Sequence, residues 1–181
     1  MWPGLDRPRG AVYHSRQMQR LWAPWRMGYL EREVPPGDCF LCAAGAGPSQ
    51  EGLVVWRGRL VFALLNAFPY VSGHVLVAPY DHEGDLLRLP ADAAAELVMG
   101  ARLVMRALAL VYAPEGYNLG ANLGSAAGAG HAEHLHLHVV PRWRGDTNFM
   151  TTAAETRVVP EALHETADRL RRAVVVAQET A

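Results

Sequence analysis

The chain has 181 residues, 50% of them hydrophobic, and its formal charges nearly cancel, 17 Lys plus Arg against 18 Asp plus Glu for a net charge of −1. That length suits one globular domain with a core of useful size, and the charge balance excludes a global field able to hold a nucleic-acid duplex or an anionic membrane, so a bound phosphate must be gripped locally. No apolar run of about 18 residues and no signal-peptide pattern occurs, and the two cysteines, Cys39 and Cys42, suit a metal site or redox pair in a reducing compartment better than a disulfide framework; the expectation is a soluble cytoplasmic protein.

Residues 1–37 carry Arg7, Arg9, Arg16, Arg20 and Arg26 among tryptophans and prolines. The piece Leu21-Trp-Ala-Pro-Trp-Arg26 is too broken for a long helix. This segment reads as an arm packed on a single domain spanning 38–181, with its tryptophans burying area against the core or a second subunit. After the cysteine pair, Ala43–Gly52 is expected to be a small-residue loop. Leu53–Trp56 and Leu60–Leu65 flank Arg57-Gly-Arg59 as a hairpin, and His74–Ala78 between Ser72-Gly73 and Pro79 reads as a mostly buried strand.

From Pro90 to Tyr112 the Ala, Leu, Met, Val and Glu content, with apolar residues at Leu97, Val98, Leu103, Val104 and Leu108, predicts one long helix. Pro114 and Gly116 stop it. Tyr117–Leu123 and His134–Val140 are then two further strands around the glycine-rich Gly124–Gly130, and Pro160–Ala177 predicts a closing helix. Strands with short connections and two helices make an antiparallel α+β domain rather than a doubly wound parallel sheet.

Strand alternation puts His134, His136 and His138 in a row on one face while Leu135, Leu137 and Val139 face the core. Three imidazoles so placed permit metal coordination or nucleophilic phosphoryl chemistry. Upstream, Asn122-Leu-Gly-Ser-Ala-Ala-Gly128-Ala-Gly130 supplies flexible backbone able to turn its N–H groups toward an anion. Cys39-Phe-Leu-Cys42 fits a redox pair or half a zinc site. By the same alternation His74 faces core or cleft, with the core favoured.

His134-Leu-His136-Leu-His138-Val-Val resembles the His-φ-His-φ-His-φ-φ signature of the histidine-triad (HIT) superfamily. Leu64-Leu-Asn66-Ala-Phe-Pro69, Gly73-His-Val-Leu-Val77, Asn122 and Pro141-Arg-Trp143 follow in the family's order, so the likeness covers roughly residues 38–145. Trp22-Ala-Pro-Trp-Arg26, Gly128-Ala-Gly130 and Asp146-Thr-Asn-Phe149 are similar to the bacterial diadenosine tetraphosphate phosphorylase-like branch. The resemblance implies a HIT-like fold, an antiparallel sheet of about five strands with one long central helix and a C-terminal helix.

It also implies roles. His136 is the expected nucleophile, forming a covalent nucleotidyl-histidine, with its ring oriented by a backbone carbonyl; His138 contacts the phosphate and assists proton transfer. Asn66 falls at the ribose hydroxyls or caps a turn, and Asn122, Gly128 and Gly130 fall near the phosphates. His131 occupies a position where many members have a small polar residue, and it is either a phosphate contact or a surface-loop histidine. Family members that bind zinc place its ligands at positions matching Cys39, Cys42, His82 and His134, a closed structural set that would not activate water. No organic cofactor is expected. Trp143, Asn148 and Phe149 follow the triad, beside a second nucleotide or a partner subunit.

The implied activity is cleavage of a dinucleoside polyphosphate, with orthophosphate as acceptor giving ATP and ADP from diadenosine tetraphosphate. Hydrolysis of such a nucleotide or of a nucleoside phosphoramidate is the near alternative. A zinc metallohydrolase using the histidine row lacks an interleaved Asp or Glu ligand, and a nucleotide-binding regulatory protein with negligible turnover sits poorly with His136. A homodimer or higher homo-oligomer is expected from the family.

Overall fold

The structure, a computed structural model, describes residues 39–47, 52–146 and 161–180. The arm expected over 1–37, together with Asn148 and Phe149, lies outside the described residues.

A short helix, α1 (Phe40–Ala46), stands where the sequence predicts loop from Ala43 onward. Cys39 caps its start, with its sulfur accepting from the Cys42 N–H at 3.4 Å. At the other end the Arg57 guanidinium donates to the carbonyls of Ala44, Gly45 and Gly47 at 2.7, 2.7 and 2.8 Å. Helix ends leave carbonyls without intrahelical partners, and here a side chain from a distant strand supplies them. Local sequence could not show this.

Five strands follow: β1 (Val54–Arg57), β2 (Val61–Leu65), β3 (Val75–Pro79), β4 (Gly116–Gly120) and β5 (Leu137–Arg142). They form one antiparallel sheet in the order β1-β2-β3-β5-β4. The long helix α2 (Ala91–Tyr112) precedes β4, and α3 (Leu163–Glu179) closes the described chain. This is the α+β antiparallel architecture expected. No described helix is long and apolar enough to cross a membrane.

β2 and β3 are buried at every position, which accounts for their continuous rather than alternating apolar character. On one face Val61, Ala63, Leu65, Val75, Val77 and Val139 pack against Leu97, Val104 and Leu108 of α2 and Leu170 and Val174 of α3. Each such fully buried side chain contributes about 1.5–3 kcal/mol of transfer free energy. On the other face Val54, Phe62, Leu64, Leu76 and Ala78 meet Leu41 and Cys39 at α1. Leu76 lies directly across from His138, so His138 is on the α1 side, away from the two long helices.

Glu96 of α2 fixes the hairpin by accepting the N–H groups of Arg59 and Leu60 at 2.7 and 3.1 Å. Glu161 fastens the start of α3, accepting from Thr166 and Arg169 at 2.8 Å each and from the Tyr112 hydroxyl.

Two strand limits differ from expectation. β4 stops at Gly120, its last partner being His138. β5 begins only at Leu137, so His134 and His136 precede it. The chain entering β5 is fastened elsewhere: the Leu135 N–H donates to the Glu83 carbonyl at 2.8 Å. Gly84 allows that approach, because a Cβ there would collide with the Ala132 carbonyl. The alternation nevertheless persists, with Leu135 and Val139 both buried.

Candidate functional site

The triad entrance brings together residues far apart in sequence. The ligand atoms of Cys39, Cys42, His82 and His134 all lie within 4.8 Å of one another. His134 Nδ1 is 3.2 Å from Cys39 Sγ and 3.5 Å from Cys42 Sγ, and His82 Nδ1 is 3.3 Å from Cys42 Sγ. Ligands at about 2.0 Å for nitrogen and about 2.3 Å for sulfur around one tetrahedral ion stand about 3.5 Å apart, so the donor set fits a metal ion. The buried His134 ring also directs Nε2 at the Pro79 carbonyl, 2.9 Å away. That bond places the proton on Nε2 and leaves the Nδ1 lone pair facing the two sulfurs, the outer support a histidine ligand needs. Burial and the neighbouring Cys39 push the Cys42 thiol up; a cation would reverse this.

His131 joins this end of the triad. Its Nε2 lies 3.0 Å from Cys39 Sγ, and its ring tilts against Phe40 with centroids 5.3 Å apart. Burial, then the nearby His136 and His82, push its pKa down.

His136 is turned the other way. Its Nδ1 donates to the His134 carbonyl at 2.9 Å, which leaves Nε2 with the lone pair. Burial lowers its pKa and the carbonyl opposes that effect; the net lowering keeps the imidazole neutral at neutral pH. A neutral ring with its distal nitrogen unprotonated is the form a nucleophile requires.

His138 is set by a residue that the sequence favours as plain core. His74 is fully buried, and its Nδ1 accepts from the Tyr70 backbone N–H at 3.1 Å. A backbone amide can only donate, so the His74 proton sits on Nε2 and is given to His138 Nδ1 at 3.0 Å. His138 therefore carries its own proton on Nε2. Tyr70 stacks on His74 at 4.7 Å and 15°, and the His136 and His138 rings are 5.0 Å apart. The sequence signal was available: His74 and Leu76 share a face, and His138 pairs with Leu76. It becomes decisive only once the register is known.

The expected substrate contacts are less uniform. Asn66 accepts the Phe68 N–H through Oδ1 at 2.9 Å and directs Nδ2 to His74 Nδ1 at 3.4 Å, a turn cap beside the histidines. Asn122 is exposed, donating to the Gly128 carbonyl at 3.4 Å. Gly128 takes φ +83 after the short 3-10 turn Ser125–Ala127, and Gly130 is exposed. Within the glycine loop the amides of Ala127, Gly128 and Ala129 bond to the loop's own carbonyls, which narrows the backbone that could face an anion. A cleft of about 320 Å³ opens beside His138, lined by Tyr70, Asn118, Asn122 and Arg142 among others. Trp143 directs its indole N–H to the Tyr112 carbonyl at 3.4 Å.

Two adjacent imidazoles with opposite proton placement, above a Cys₂His₂ cluster and beside an open cleft, make a histidine site built for an electrophilic phosphorus or carbonyl centre. The HIT domain model matches residues 48–145, and the chain belongs to the HIT family. It is 44% identical over 158 residues, 83% of this chain and 81% of the relative, to a protein of Mycobacterium tuberculosis named AP-4-A phosphorylase. Among solved structures, it resembles a Zn-bound histidine triad family protein from Mycobacterium smegmatis, with TM-score 0.64, 25% identity and coverage of 80% of this chain and 98% of that one. A histidine triad nucleotide-binding protein from Sulfolobus tokodaii gives TM-score 0.60 and 28% identity, covering 78% and 93%.

Proposed function

We propose that this protein cleaves diadenosine tetraphosphate with orthophosphate as acceptor, through a nucleotidyl intermediate on His136. The observation that carries the chemistry is the 2.9 Å bond from His136 Nδ1 to the His134 carbonyl, which leaves Nε2 as the attacking lone pair. The substrate is chosen on the likeness to the mycobacterial AP-4-A phosphorylase.

In the first step the His136 Nε2–P bond forms at an α-phosphorus. The P–O bond to the remaining nucleotide breaks, and its electron pair leaves with ATP. The carbonyl of His134 offsets the positive charge that develops on the ring, and no proton need leave Nδ1. His138 Nε2–H supplies a hydrogen bond to a phosphoryl oxygen, where charge builds. An oxygen of orthophosphate then attacks the same phosphorus, the P–N bond breaks back to His136, and ADP departs.

Asn66, Asn122, Gly128 and Gly130 are assigned to the nucleotide, Asn66 at the ribose and the others toward the phosphates. Cys39, Cys42, His82 and His134 are assigned to a closed structural zinc ion, which would hold the triad entrance without activating water. The protein is read as a cytoplasmic homodimer or higher homo-oligomer, with no organic cofactor.

The test is product analysis with diadenosine tetraphosphate, with and without phosphate, together with mass detection of a nucleotidyl adduct on His136. ATP plus ADP with phosphate, and an adduct 329 Da heavier (the adenylyl group, about that mass by atom count), are expected. AMP formed at a rate independent of phosphate would rule out the phosphorylase, and an adduct at another residue would rule out His136.

A further inference from the structure

We propose that His131 is an outer-layer partner of the metal centre, donating its Nε2–H to the Cys39 thiolate and so coupling metal occupancy to the order of the glycine loop. The proposal rests on the metal reading above. Four ligand atoms, from Cys39, Cys42, His82 and His134, already lie within 4.8 Å of one another and complete a tetrahedral set. His131 approaches that set from the side, with Nε2 3.0 Å from Cys39 Sγ.

A metal-bound thiolate keeps lone pairs directed away from the ion, and an N–H aimed at one of them draws off charge and steadies the ligand. The His131 ring is held for this by Phe40, 5.3 Å away, the first residue of α1. Cys39 also accepts the Cys42 N–H, so the two donors share one sulfur.

The consequence follows from where His131 stands in the chain. It comes directly after Gly130, at the end of the loop that runs through the Ser125–Ala127 turn and Gly128, and three residues before His134. His134 is held by the metal set and His131 by the thiolate, so a bound ion pins this loop end at both positions. Without the ion the sulfur is a thiol, a weak acceptor, and the pin loosens.

The experiment uses the full chain with its metal content measured. His131→Leu removes the donor, and His131→Gln keeps an N–H able to reach the sulfur. Zinc release to a chromogenic chelator should be about ten-fold faster in His131→Leu than in the wild type, and His131→Gln should recover most of the difference. Cobalt-substituted wild type and His131→Leu should share the same intense four-coordinate absorption. Hydrogen exchange over residues 124–131 should rise on metal removal in the wild type and change little in His131→Leu.

Equal release rates in all three proteins would overturn the thiolate contact. A cobalt spectrum that passes from five- to four-coordinate in His131→Leu would make His131 a direct ligand and overturn the outer-layer role. Wild-type loop exchange that is the same with and without metal would overturn the coupling. A wild type that binds no zinc or cobalt would overturn the metal reading itself, a failure distinguishable from the other three.

Discussion

The two ends of the triad use one residue type for unlike tasks. At the entrance, His134 is buried, its Nε2 proton given to a backbone carbonyl and its Nδ1 aimed at two sulfurs. At the strand end, His138 has the reverse arrangement: Nδ1 accepts from His74, and the proton stays on Nε2. His136 stands between them with its proton on Nδ1. A histidine's role is thus assigned by the partner of its other nitrogen, and neighbours two residues apart receive opposite assignments because their partners come from different elements.

The sharpest way to break this comparison is at the residue between the two ends. His136→Asn should lower kcat by about 10⁴-fold or more while calorimetry finds nucleotide affinity largely kept. Loss of binding in parallel with turnover would mean that His136 holds the substrate rather than attacking it.

Removing metal tests the entrance end. Chelation should cost several kcal/mol of stability, and a loss of about 3 kcal/mol corresponds to a fall in Tm of about 6–12 °C for a chain of this size. The protein that remains folded should keep forming the His136 adduct. Adduct formation that needs restored metal would turn the entrance into a catalytic centre.

Substitution of His74 tests the strand end. His74→Leu leaves His138 Nδ1 without its donor, a penalty of about 1–3 kcal/mol in stability, and should lower kcat by about 10–100-fold with KM little changed. An unchanged kcat would reduce His74 to a packing residue.

The smallest effect lies outside the site. Burial works to raise the Glu161 carboxyl, yet hydrogen bonds from Arg169, Tyr112 and Thr166 override it and hold the group at about 2 against an ordinary 4.5. A carboxyl lowered on folding stabilises fully above its unfolded pKa, and the contribution fades as pH falls from about 4.5 through about 2. Thermal melts across that window should lose part of their slope in Glu161→Gln, with no change in nucleotide affinity at neutral pH. An affinity change would show that the α2–α3 clamp reaches the triad.

The Leu135–Val139 alternation, the apolar runs of β2 and β3 and the composition of α2 were legible because each is a local pattern with a fixed period. The triad, Cys39-Phe-Leu-Cys42, His82 and the glycine loop were legible as residue types that carry chemistry. Helix α1 was not, because its C-terminal carbonyls are satisfied by Arg57, across the chain from the alanines that form it. The late start of β5 was not, because it depends on Gly84 admitting the Ala132 carbonyl.

For the site, the sequence by itself determined which side chains are present and that strand geometry would carry His136 and His138 to one face. The tertiary structure alone decided what each ring nitrogen meets: the Pro79 carbonyl and two sulfurs for His134, His74 for His138, and Cys39 for His131. The physical reason is reach. Alternation along a strand is set by neighbouring backbone dihedrals, whereas a hydrogen bond that fixes a tautomer needs a partner about 3 Å away in space, and for these histidines that partner lies tens of residues away in sequence.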